Sequence, residues 1–110
     1  MRRLFLILSL LLLVTVLGSS ASLAQTKLDA SIFSFDGQDF TRTETTLMNE
    51  EQSAVGTKLA SDSPAYKALV EKHSYTGPMT LFGRDYQANY APLMSKDGQL
   101  TGALFVGVPK

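Results

Sequence analysis

Tyr75-Thr-Gly-Pro-Met-Thr-Leu-Phe-Gly-Arg-Asp-Tyr86-Gln-Ala-Asn-Tyr90-Ala-Pro-Leu, then a Lys96-Asp97-Gly98 turn, then Gln99-Leu-Thr-Gly-Ala-Leu-Phe-Val-Gly-Val108: this stretch decides the fold. Turn residues divide it into short runs rich in aromatic, β-branched and aliphatic residues, the pattern of consecutive antiparallel strands. On this reading Tyr75-Thr76-Gly77-Pro78 turns the chain into a three-stranded meander, and Gly83-Arg84-Asp85 is the tight turn joining two of its strands. The last run speaks to layering. Leu100, Leu104, Val106 and Val108 share one parity, while Ala103 and Phe105 share the other, so both faces carry apolar side chains. Such a strand is expected at the centre of a sheet that is covered on both sides. Gly102 and Gly107 permit close approach by a helix, another backbone or a small ligand, or mark a bulge.

Upstream of this meander, Ala30 to Phe35 alternates as a first strand. Asp36-Gly37-Gln38-Asp39 is a strong hairpin signal. Phe40 to Leu47 returns as a threonine-rich second strand, polar on both parities, which suits a sheet edge or a wet cavity. Met48 to Ala60 reads as a loop with a polar tip at Asn49-Glu-Glu-Gln. A helix follows over Pro64 to Lys72: Asp62 or Ser63 caps it, Pro64 suits its first turn, and Tyr66, Leu69 and Val70 form its apolar face. The class is therefore α+β, with five antiparallel strands and one short helix in the order β-β-α-β-β-β.

The N-terminus is set apart from this domain. Arg2 and Arg3 precede an apolar run from Leu4 to Leu17, and Ser22 and Ala24 stand at the −3 and −1 positions of a cleavage site before Gln25. These are the three parts of a secretory signal peptide. We therefore expect a leader over 1–24, a domain over 25–110, and a periplasmic or secreted product; the alternative is an inner-membrane anchor made by residues 4–17. Losing Arg2 and Arg3 moves a formally neutral chain to about −2, and no basic run or aromatic-basic interleaving points to nucleic acid. With no cysteine, an exported domain of this size is stabilised by packing alone.

Candidate chemistry centres on tyrosines and cations. Tyr86 and Tyr90 lie four apart on one strand and share a face, where apolar rings with hydrogen-bonding tips suit a small-ligand pocket. Tyr66 on the helix and Tyr75 just after it can line the same space. Arg84 shares the parity of Tyr86, and a guanidinium is the natural bidentate partner of a carboxylate, although its place beside a glycine also suits an exposed turn. Arg42 and Lys58 are rival anchors, and the sequence leaves the choice among the three open. His73 is the only histidine, so no metal site is expected; Ser63 has no base beside it, no phosphate loop opens a helix, and the Glu50-Glu51 pair sits on a polar tip. No cofactor and no enzymatic chemistry is expected.

Several blocks occur together in the order and spacing of a known family. Asp36-Gly-Gln-Asp-Phe-Thr-Arg42, Ala54-Val-Gly-Thr-Lys-Leu59, Ser63-Pro-Ala-Tyr66, Tyr75-Thr-Gly77, Leu81-Phe-Gly-Arg-Asp-Tyr86, Tyr90-Ala-Pro92 and Gly102 to Val108 resemble Cache-type extracytoplasmic sensor domains, nearest to the fused Cache 3/Cache 2 variety. Such domains serve as input modules of bacterial chemoreceptors and sensor histidine kinases. The resemblance, from about Ser31 onward, implies a PAS-like fold with a long N-terminal helix behind the sheet and a ligand pocket on the other side. It also implies a small metabolite ligand, often an organic acid or amino acid, and a membrane signalling partner.

No long helix is legible between the leader and the first strand, so that helix is expected to be missing or replaced by the leader. The chain reads to Val108-Pro-Lys110 where a receptor continues into a membrane helix. One side of the sheet then needs another cover: a second copy, another protein or a retained leader. Two readings of function follow. One is a sensor domain for a small, carboxylate-bearing metabolite; the other is a dimeric interaction module, a remnant of a receptor input domain whose pocket is unused.

Overall fold

The computed structural model of the protein describes residues 27–110. The expected leader, residues 1–24, lies outside the described residues.

Five strands form one antiparallel sheet: β1 (Asp29–Phe35), β2 (Phe40–Thr45), β5 (Tyr75–Leu81), β6 (Arg84–Met94) and β7 (Leu100–Pro109). Two short strands, β3 (Met48–Asn49) and β4 (Gln52–Ser53), make a separate hairpin within the stretch read as a loop, and α1 (Pro64–Val70) is the helix. The sheet order is β2-β1-β7-β6-β5, so β7 is the central strand, as its doubly apolar sequence requires. The threonine-rich β2 is an edge, as expected.

The turns follow from local chemistry, with two corrections. Asp36 accepts from the backbone N–H groups of Gln38 (2.8 Å) and Asp39 (2.7 Å), and Gly37 takes a φ of 99° that a side chain would disfavour. Those bonds to the charged form hold the Asp36 carboxyl below its ordinary pKa. The turn into β6 is Phe82-Gly83 (φ 51° and 80°), not Gly83-Arg84-Asp85; Arg84 already pairs with Leu81 in the ladder. Two central residues with positive φ give the twist that a two-residue hairpin needs, and this obliges a phenylalanine to adopt the left-handed conformation. Likewise Tyr75-Thr76-Gly77-Pro78 is not a turn but the start of edge strand β5, where Pro78 is tolerated.

Ser63 caps α1, its Oγ accepting from the Tyr66 N–H at 3.1 Å. The helix stops at Val70, short of Lys72, because Lys72 itself turns left-handed (φ 65°). Its N–H then reaches the Leu69 carbonyl (2.8 Å) and that of His73 reaches the Ala68 carbonyl (2.9 Å), closing the end in a Schellman pattern without the usual glycine. Ala65 and Leu69 are its buried residues; Tyr66 is half-buried, and Val70 faces solvent instead of joining the apolar face.

The core lies on one side of the sheet only. Phe33, Phe40, Tyr86, Tyr90, Ala103 and Phe105 project from the strands and meet Ala65 and Leu69 of α1 and Leu47, Ala54 and Leu59 of the preceding segment. A Cβ at Gly102 would collide with the Phe33 carbonyl, and one at Gly107 with the rings of Phe105 and Tyr86, so both glycines serve close approach. Two-sided cover is not found. Ile32, Leu104, Val106 and Val108 point the other way and remain 40–45% exposed. Among the described residues, α1 and the segment before it cover the inner face, and nothing covers the outer one.

Candidate functional site

Arg42 sits on the inner face of β2, between two segments that enclose it. Its backbone N–H donates to the Thr57 carbonyl (2.9 Å), and its carbonyl accepts from the Gly56 N–H (2.8 Å), so the segment after β4 is stitched alongside as an extra edge. The side chain turns inward and is 2% exposed. Its guanidinium lies over the Phe33 ring at 4.8 Å and the Phe82 ring at 5.2 Å, and Nη1 donates to Thr57 Oγ1 at 3.0 Å. Thr57 is fixed in turn, its hydroxyl donating to the Ala54 carbonyl at 2.6 Å.

What Arg42 lacks is an acidic partner. The ion pairs among the described residues are Lys58–Asp39 (3.2 Å) and a long contact between His73 and Glu71 (4.0 Å); Arg42 takes part in neither. Its Nε is buried without a hydrogen-bond acceptor. The neighbouring Tyr90 hydroxyl is buried and likewise unbonded. The two groups are near enough to influence each other's ionisation, yet no bond of ordinary geometry satisfies either. Burial holds the Arg42 pKa below its usual value, with Tyr90 opposing that shift. Burial also pushes the Tyr90 phenol up to about 12, against the pull of Arg42. Cation–π contact and one neutral hydroxyl offset only part of the cost of desolvating a guanidinium. A carboxylate-sized anion would supply the missing charge and acceptors.

Space for such a group lies beside Arg42. A cleft of about 260 Å³ is lined by Arg42, Lys58, Leu59, Ser63, Met79 and Phe82 among others, two cations set among mostly apolar side chains. A second cleft, about 350 Å³, lies beyond Phe82 and is lined by Asp29, Thr46, Glu50, Arg84 and Tyr86 among others. Phe82 belongs to both walls.

The structure thus divides the candidate residues. Arg42 and Lys58 share the first cleft, with Tyr90 packed beneath Arg42 against Phe33, Phe105 and Tyr75. Tyr90 lines neither cleft: its ring packs among those of Phe33, Phe105 and Tyr75. Arg84 and Tyr86 line the second cleft, where the Tyr86 hydroxyl donates to Asp29 Oδ2 at 2.8 Å. Burial, then that bond, raises the Tyr86 pKa. The hydroxyls of Tyr66 and Tyr75 are committed to backbone carbonyls, of Gln38 (2.5 Å) and Pro78 (2.9 Å). Thr57, Phe33 and Phe82 escaped the sequence reading as site residues. Thr57 and Phe82 entered it only within the family blocks Ala54–Leu59 and Leu81–Tyr86, and Phe33 only as part of the first strand.

The profile of the Cache 3/Cache 2 fusion domain matches residues 23–110, which takes in every described residue. The chain belongs to that family. No curated protein and no solved structure matches it. Cache domains are extracytoplasmic sensor modules, generally ligand-binding and in general not enzymes. The half-covered antiparallel sheet with its short helix is consistent with the PAS-like Cache fold. Among the described residues no helix of this Cache domain is long and apolar enough to cross a membrane.

Proposed function

We propose that this Cache domain is an exported receptor for a small carboxylate, an organic acid or amino acid, and that Arg42 is the anchor. One observation carries the reading: a buried guanidinium with no acidic partner among the described residues, an unbonded Nε, and an unbonded tyrosine hydroxyl next to it. Lys58 at the same cleft adds a second positive charge, and Leu59, Met79 and Phe82 supply apolar walls for the body of a short ligand. Phe82 caps the guanidinium, so a ligand enters as its ring swings aside. Arg84 belongs to the neighbouring cleft and does not hold the carboxylate. After leader removal the domain works outside the cytoplasm with a membrane signalling partner, a receptor or a kinase.

A thermal-shift screen against organic and amino acids tests the reading. A ligand at about 100 times its Kd stabilises by about 2.7 kcal/mol. Arg42→Met abolishes the shift, Lys58→Ala weakens it, and Arg84→Ala leaves it in place. Arg42→Met and Tyr90→Phe are expected to leave the ligand-free fold as stable as before or more so, since each removes an unsatisfied buried polar group. A panel in which no carboxylate shifts the transition, or a hit that survives Arg42→Met, would defeat the proposal.

A further inference from the structure

We infer that Phe82 is the specificity-determining residue of the carboxylate site: its ring separates two clefts of different chemistry and confines the ligand to a monocarboxylate with a short, uncharged body. The inference rests on the reading of Arg42 as the anchor, and goes beyond it in naming the ligand class and the residue that sets it. Phe82 occupies the first central position of the β5–β6 turn with φ 51°, followed by Gly83 at 80°. That position favours asparagine or glycine, and a bulky side chain held there is strained. The turn gives no reason for a phenylalanine; the side chain does. Its ring centroid lies 5.2 Å from the Arg42 guanidinium carbon, and the residue is a wall of both clefts. Strain of this kind is kept where the surrounding structure puts the residue to use.

On the Arg42 side, no carboxylate lines the cleft. Its two hydroxyls are engaged: Ser63 Oγ accepts from the Tyr66 N–H and donates to the Ala60 carbonyl (2.7 Å), and the Thr80 hydroxyl donates to Asp85 (2.7 Å). Lys58 is already paired with Asp39. Leu59, Ala60, Met79 and Leu81 supply apolar surface. A carboxylate finds Arg42 there, but an ammonium group finds no acidic partner, and a second carboxylate competes with Asp39 for Lys58. At ~30 Å³ for each water-sized group, the cleft of about 260 Å³ holds about eight non-hydrogen atoms, a carboxylate and a body of about five carbons. Beyond Phe82 the chemistry changes. The cleft of about 350 Å³ carries Asp29, Glu50 and Arg84. Asp29 accepts from the hydroxyls of Thr46 and Tyr86, both at 2.8 Å, and from no cation among the described residues. A longer chain or a cationic end would be received there, and the ring bars the way. When a carboxylate takes the ring's place on the guanidinium, the ring has the second cleft to turn into, so the barrier persists in the bound state.

The test uses the full-length gene, expressed so that the chain is exported, and reads by calorimetry the binding of linear alkanoates from acetate to octanoate and of their ω-amino counterparts. For the unmodified protein, affinity is expected to rise about three- to fourfold per methylene up to about hexanoate, and no further beyond it. Each ω-amino counterpart binds at least ~10-fold more weakly than the alkanoate of its length. Phe82→Gly, which suits the left-handed turn, joins the two clefts. The gain per methylene then continues to octanoate, and the ω-amino counterpart of octanoate, now within reach of Asp29, recovers its ~10-fold deficit. Should the glycine variant fail to fold, Phe82→Asn also accepts a positive φ and acts in the same way, while Phe82→Tyr restores the ring and keeps the original order. An unchanged length limit and ammonium penalty in Phe82→Gly, with binding still abolished by Arg42→Met, would overturn the inference and leave the Arg42 reading standing. So would an α-amino acid that binds through Arg42 more tightly than the alkanoate of its length. No carboxylate bound, or binding that survives Arg42→Met, would overturn both.

Discussion

Phe105 and Val106 are neighbours in the central strand, yet the first is 1% exposed and the second 45%. The two faces of one sheet thus have different histories. The inner face was closed by its own chain, through α1 and the segment from Leu47 to Leu59, and has aromatic rings in contact from Phe35 to Phe105. Into that closed side the fold draws one cation, Arg42. The outer face is as apolar along its spine, but keeps its charges at the margins and meets no cover among the described residues. An apolar strand pattern states that burial is favourable on both sides. It does not state which segment supplies it.

The largest expected effect tests this contrast directly. Phe105→Ala should cost about 3–5 kcal/mol in urea unfolding, whereas Val106→Ala, one residue along, should cost under ~1 kcal/mol at protein concentrations too low for association. Equal costs would mean that the outer face is covered in solution by the chain itself.

Next is alkaline pH. Tyr90 titrates at about 12 when folded and near 10.0 in its unshifted state. Its raised pKa favours the folded state, and that contribution is fully present below pH 10. It is lost as pH rises from 10 to about 12, because the unfolded chain gives up the proton first; the loss is roughly 2 kcal/mol. Tyr90→Phe removes this part of the pH dependence, while Val106→Thr on the outer face leaves it intact. Ultraviolet titration of the phenols, paired with unfolding at each pH, checks both.

Smaller effects sharpen the account of how the inner cover is held. Ser63→Ala removes the cap of α1 and should cost about 1 kcal/mol in thermal or urea unfolding, felt on the inner side through Ala65 and Leu69. Lys58→Ala breaks the ion pair with Asp39 at the mouth of the cleft and should cost ~0.5 kcal/mol or less, diminishing with salt, because the lysine side chain is 59% exposed. A larger loss would make Lys58 part of the fold, not of the ligand wall.

Much of the fold was legible because it depends on local rules. Alternation identified β1, turn residues set off the threonine-rich β2 and the doubly apolar β7, Asp36-Gly37 announced the first hairpin, and Ser63-Pro64 marked the start of the helix. Two of the errors fell where residues take backbone states that their type does not announce. Phe82 and Lys72 both adopt positive φ without being glycine, so one displaced the β5–β6 turn and the other ended the helix early. The candidate site was legible as a set of tyrosines and cations but not as a geometry. Arg42, Lys58 and Arg84 are equivalent by residue type, and only the closing of the Ala54–Leu59 segment over β2 buries one of them.

By itself, then, the sequence determined the five strands of the main sheet, the central position of β7 and the edge position of β2, since strand patterning and turn chemistry act between near neighbours. Tertiary structure alone decided which apolar face was covered, which cation lost its water, and which tyrosine hydroxyl was left unbonded beside it. Those outcomes depend on contacts between residues far apart in the chain, such as Phe33 with Tyr90 and Arg42 with Phe82. A pattern read along the strand carries no record of them.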